Sequence, residues 1–155
     1  MSEYALRNQL MGTEKLESID RIKKNPVSQH SGVNGLSHES VPIDAPPLLE
    51  ICGGSVELAC ELLDELEATG FQYVERIQKS VSERDMVATA DISHSLKGLA
   101  GILCAEEIRK RADEIELAGR LSDSNRIEFH VSQLAAEMQR CVDYLPELRQ
   151  ELAGK

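Results

Sequence analysis

From Asp44 to the C-terminus, apolar residues recur every three to four positions, and nowhere do they alternate with polar ones over the length of a strand. A chain patterned this way buries one stripe per helix and offers no strand to a sheet, so it folds as packed helices. The core available to it is aliphatic. Among 155 residues there are 3 Tyr, 2 Phe and no Trp, which leaves Leu, Ile, Val and Ala to fill the interior. The same scarcity removes the stacking platforms that single-stranded nucleic acid needs. With 17 Lys and Arg against 27 Asp and Glu, and a net charge of -10, there is no phosphate-tracking patch either. DNA, RNA and anionic membranes are excluded as partners, whereas a protein partner is not.

Punctuation divides the chain near residue 43. Residues 25–42, rich in Ser, Gly, Asn and Pro, hold too little apolar surface to offset the entropy of ordering and read as a flexible linker. Residues 3–24 carry weak helical spacing through Leu6, Leu10, Ile19 and Ile22, interrupted by Gly12, so a short, loosely held helix is the most this extension (1–43) offers. Residues 44–155 form the domain. Asp44 before Ala45-Pro46-Pro47 caps a short helix that stops at Gly53-Gly54. Ser55 caps a long helix over about 56–80. Asp85 caps a third, from Met86 to about Leu103, and a fourth covers about 105–119. Asn125, with Glu128 three residues on, reads as a capping box for the last helix, and Pro146 is expected to kink or fray its end. Short turns between long amphipathic helices imply an all-α, antiparallel, up-and-down four-helix bundle with a short leading helix.

The chain starts without a basic, apolar leader, and no apolar stretch nears the ~20 residues that span a bilayer; a cytoplasmic location is expected. Cys52, Cys60, Cys104 and Cys141 lack any C-x-x-C spacing and read as small core residues. His30 and His38 fall in the linker, and His130, with no small residue one turn later, reads as bundle packing.

The third helix holds the informative segment, Asp91-Ile-Ser-His94-Ser-Leu-Lys97-Gly98-Leu-Ala-Gly101-Ile-Leu103. Ile92, Leu96, Leu99 and Leu103 form its apolar stripe. His94 lies on the opposite face, with Lys97, Gly98 and Gly101 three, four and seven residues on. Each glycine costs a helix about 1 kcal/mol relative to Ala. Helical side chains lean toward the N-terminus, so a residue at Gly98 would otherwise cover the imidazole. Removing it, and less directly the side chain at Gly101, opens the ring to a large partner. Lys97, a mobile cation one turn from the ring, can stabilise a dianionic group attached to it. Asp91 reads as a solvated acid. These features suit a nucleophilic histidine that carries a phosphoryl group.

The string HSLKGLAG resembles the signature of histidine-containing phosphotransfer domains. The likeness extends over about residues 44–150 and takes in the Gly-Gly turn at 53–54, the Asp85 cap and Glu116 on the following helix. Many members carry a further Gly where this chain has Cys104. The resemblance implies a phosphorelay intermediate that accepts a phosphoryl group on Nε2 of His94 from a receiver-domain aspartyl phosphate and passes it to another receiver. Such a protein is a carrier without kinase activity. It holds no cofactor, the Mg²⁺ being expected on the receiver. Its implied partners are response-regulator receiver domains and a hybrid histidine kinase, and it is expected to act as a monomer. The competing reading is a bundle that docks and regulates a receiver or kinase without being phosphorylated. Residues 91–111 are locally basic, with Lys97, Arg109, Lys110 and Arg111 against Asp91, Glu106 and Glu107. Arg109 and Arg111 are therefore expected to face a receiver's acidic pocket.

Overall fold

The computed structural model describes residues 40–154; the expected helix at 3–24, most of the linker, His30 and His38 lie outside them. The described residues form five helices and no strand: α1 Ala45–Ile51, α2 Val56–Ser82, α3 Met86–Ile102, α4 Glu106–Arg120 and α5 Ser124–Ala153. Each long helix packs on its neighbours in sequence, and α5 closes the ring against α2, while α1 rests on α2 and α5. Consecutive helices joined by so few residues run antiparallel. None of the described helices is long and apolar enough to cross a membrane.

The three connections between the long helices share one construction. Each holds three residues: a helical C-cap, a residue with positive φ, and the N-cap of the next helix. The middle residues are Arg84 (φ 57), Cys104 (φ 55) and Ser122 (φ 56). In the turn after α3, the Ala105 N–H donates to the Ala100 carbonyl at 2.9 Å and the Cys104 N–H to that of Gly101 at 3.3 Å, which satisfies the last carbonyls of the helix. Corresponding bonds join Asp85 to Ser80 and Asp123 to Ala118. Left-handed backbone costs a residue with a Cβ roughly 1 kcal/mol, so Cys104 occupies with strain the place where glycine would sit freely. The cap that follows is an aspartate twice: Asp85 accepts from the Ala88 N–H at 2.9 Å and Asp123 from that of Arg126 at 3.1 Å. Ala105 has no side chain to cap with, and Glu106 and Glu107 in the first turn complement the α4 dipole instead.

Three sequence expectations change here. The last helix starts at Ser124 behind the Asp123 cap, so Asn125 is a helical residue and the capping box does not form; Asp123 lies directly after the left-handed Ser122 and reaches the free N–H groups first. Pro146 does not fray α5, which continues to Ala153. The missing N–H costs about 3 kcal/mol, but Leu148 and Leu152 beyond it are fully buried, at about 2 kcal/mol each. Arg149 adds ion pairs to Asp64 at 2.7 Å and Glu67 at 2.6 Å on α2. Finally, Ile43 is 0% exposed, and the Pro42 carbonyl faces the Cys141 thiol on α5 at 3.8 Å. The packed unit thus reaches back past the expected boundary at residue 44.

The core is aliphatic: Leu48, Leu63, Leu66, Ile77, Leu96, Ile108, Ile115, Ile127 and Leu134 are all shut off from solvent. Helix α3 is rotated from its expected stripe. Leu96 and Leu103 are buried, Ile92 and Leu99 only partly, and Thr89, Ala90, Ser93 and Ala100 complete the inward face. Small residues there let α4 come close. A Cβ built on Gly119 would stand 3.2 Å from the Ala90 Cβ, the Ala90 nitrogen and the Met86 carbonyl. The histidine of α3 consequently sits at the shoulder of the α3–α4 seam rather than in mid-face.

Candidate functional site

Rotation of α3 brings His94 against Glu116 of α4. The imidazole is 64% exposed and the carboxylate side chain 10%. Nδ1 lies 3.1 Å from Oε1 and 3.2 Å from Oε2. Two cations share that carboxylate. Lys97 Nζ stands 2.6 Å from Oε2. Arg120, one turn along α4, aims Nη2 at Oε1 at 2.8 Å and Nε at the same oxygen at 3.2 Å. Burial alone would raise the Glu116 carboxyl, but the hydrogen bonds from Lys97, Arg120 and His94 outweigh it and hold the group down at about 2.

An ionised carboxylate accepts and cannot donate, so the proton between the two groups belongs to Nδ1. In the neutral ring this fixes the tautomer: Nδ1 carries hydrogen and Nε2 carries the lone pair, on the solvent side. The buried carboxylate therefore sets which ring nitrogen carries the free lone pair.

Lys97, expected as a mobile cation near the ring, is engaged here rather than free in solvent. Its side chain is 27% exposed and bonded to both Glu116 and Asp113, the latter at 3.1 Å. Hydrogen bonds to Glu116 first, then Asp113, raise its pKa, so it is charged at any physiological pH. Gly98 is open: a Cβ there would meet nothing within 4 Å. One at Gly101 would lie 3.7 Å from the Arg109 side chain, in ordinary contact, so Gly101 is not needed for close packing. Asp91 is exposed, and its carbonyl accepts from the Ser95 hydroxyl at 3.1 Å.

Both arginines of the basic segment are paired. Arg109 forms a fork on Glu106, with Nε to Oε2 at 2.8 Å and Nη2 to Oε1 at 2.5 Å. Arg111 turns away from the histidine, toward Glu107 at 3.8 Å and His130 Nδ1 on α5 at 3.5 Å. Arg111 thus leaves the face it was expected to share, because α4 presents residue 111 to α5. His130 packs edge-on to Phe129, with ring centroids 5.0 Å apart.

Sequence reasoning missed Arg120 and Asp113. The Glu116–Arg120 spacing of four, acid before base, is a helical pairing signal that was there to be read. Asp113 gave none, since it meets Lys97 only across two helices. Comparison with family models matches residues 61–154 to the Hpt domain. The chain belongs to the Hpt domain family. Hpt domains carry out histidine phosphotransfer in phosphorelay signalling and work with receiver domains and kinases; they are carrier modules, not kinases. No curated protein and no solved structure gives a match. The matched Hpt segment contains α3, α4 and α5 entire and most of α2, hence every residue of the histidine cluster, while α1 precedes it.

Proposed function

We propose that this Hpt domain is a phosphorelay intermediate in which His94 accepts a phosphoryl group from the aspartyl phosphate of a receiver domain and returns it to another receiver. The observation that carries the reading is the Nδ1 contact to Glu116 on an exposed ring. Nε2 attacks phosphorus, the N–P bond forms as the aspartyl P–O bond breaks, and the carboxylate of the receiver leaves. No proton moves. Nδ1 keeps its hydrogen, the ring becomes cationic, and Glu116 faces that charge across the Nδ1–H bond. Return transfer runs the same steps backwards, with neutral imidazole as the leaving group.

The other residues follow from position. Lys97 supplies positive charge beside the dianionic phosphoryl group. Gly98, and to a smaller extent Gly101, clear the approach of the receiver. That partner brings the Mg²⁺ and its acidic pocket, so the chain's task is to present an oriented nucleophile. Arg109 lies beside Gly101 on the α4 side of the approach.

The test is transfer from a phosphorylated receiver. An acid-labile, base-stable phosphate is expected on this chain and absent from His94→Gln. Docking of a receiver with no transfer, and with affinity indifferent to His94→Gln, would identify the chain as a binding module instead.

A further inference from the structure

Glu116 is held by two cations that differ in what they can do next. Arg120 grips Oε1 with two nitrogens from the same helix, one turn away, and its planar fork is built for a carboxylate. Lys97 grips Oε2 with one nitrogen on a flexible stem, and already divides itself between that oxygen and Asp113. When a phosphoryl group is added to Nε2, about two negative charges arrive near Lys97. A point charge on four methylenes can follow them; a fork on the far oxygen gains nothing by moving. If Lys97 leaves, Glu116 loses a cation just as an anion appears, and it is repelled from the ring it must face.

We infer that Arg120 is a positioning residue for the phosphorylated state: it keeps the Glu116 carboxylate on His94 Nδ1 while Lys97 exchanges Glu116 for the phosphoryl group. This rests on His94 being the phosphoryl carrier. Division of labour between the two oxygens makes the exchange possible, because Lys97 can release Oε2 without disturbing the grip on Oε1. Neutral residues in place of the two cations should then have different consequences. Loss of Lys97 exposes the phosphoryl charge; loss of Arg120 detaches the carboxylate. The charged groups at this corner are Asp91 and Lys97 on α3, and Asp113, Glu116 and Arg120 on α4.

The experiment loads the full chain with phosphoramidate, a small phosphoryl donor that needs no partner, and follows the Nδ1 proton of His94 by NMR. Wild type should gain one phosphoryl group and His94→Gln none; loading that survives His94→Gln overturns the proposed function and this inference together. In the loaded protein, the Nδ1 proton bridged to Glu116 should give a distinct downfield, slowly exchanging resonance. Arg120→Ala should lose that resonance, Arg120→Lys should restore it only in part because a single amine cannot reproduce the fork, and Lys97→Ala should keep it. A loaded Arg120→Ala protein that retains the resonance overturns the positioning role while leaving the proposed function intact. Failure of Arg120→Ala to load while Lys97→Ala loads supports the role in a stronger form. Failure of both to load overturns it, since the two cations would not divide their work. Arg120 is exposed, and thermal unfolding of each variant checks that the bundle persists.

Discussion

His94 Nδ1 lies 3.1 Å from Oε1 of Glu116, joining residues 22 positions apart on successive helices. One ring nitrogen is thereby occupied by the protein and the other is left to solvent. Glu116→Gln preserves the size of the side chain and removes its charge, so the ring loses the partner that stabilises it when cationic. A hydrogen bond to a charged group contributes about 1.5–3 kcal/mol, which corresponds to a roughly 10–100-fold slower phosphotransfer. Initial rates from a phosphorylated receiver measure this, and an unchanged rate would separate Glu116 from the chemistry.

The same carboxylate ties stability to pH. Its ordinary pKa of 4.5 falls to about 2 in the fold, so the folded state binds the proton less readily than the unfolded chain. The stabilisation is complete above about pH 4.5 and disappears as pH drops through 2. It is worth about 3 kcal/mol for this one group. Urea unfolding of wild type and Glu116→Gln should give stabilities that differ at pH 6 and converge near pH 2. A constant difference across that range would show that the carboxylate is not the source.

Two glycines on facing helices should respond oppositely to one methyl group. Gly98→Ala meets no neighbour within 4 Å and should stabilise α3 by up to about 1 kcal/mol while slowing transfer, since the methyl stands in the receiver's approach. Gly119→Ala drives its Cβ to 3.2 Å from the backbone of Met86 and Ala90, and should cost about 1–3 kcal/mol. Thermal unfolding and transfer rates on the two variants check the pair. Gly98→Ala with wild-type transfer would remove the steric role.

Arg84 is exposed and has φ 57. Arg84→Gly relieves the left-handed backbone without losing a buried contact, so unfolding free energy should rise by about 0.5 kcal/mol, the relief being partly offset by the flexibility of glycine in the unfolded chain. A β-branched residue there should lower it by more than that amount. Denaturant titration distinguishes the two.

The helices and their order were legible because periodicity and punctuation are local: Ser55, Asp85 and Gly53-Gly54 each announce an end within a few residues. Pro146 misled because the burial of Leu148 and Leu152 that overrides it is a tertiary fact. Asn125 misled because Ser122 and Asp123 form an equally good signal slightly earlier. At the site, His94, Lys97 and Gly98 stood out through their spacing on one helix. The clasp around Glu116 did not, because Lys97 and Asp113 come together only once α3 is turned by its small residues toward α4. Arg111 shows the same limit from the other side: its charge could be counted, but its direction depended on α5.

The connection Leu103-Cys104-Ala105 has no slack, since all three residues have defined roles as C-cap, left-handed link and N-cap. Each residue of an α-helix advances the chain by 100°. One extra residue in this turn, if α4 kept its seat, would swing the position of Glu116 a quarter-turn or more away from the ring. Surface loops usually tolerate insertion; this one behaves as a gauge block, whose length determines which nitrogen of a distant imidazole is basic. A variant with a single added Gly after Cys104 would keep every side chain of the site and lose the arrangement that makes them one.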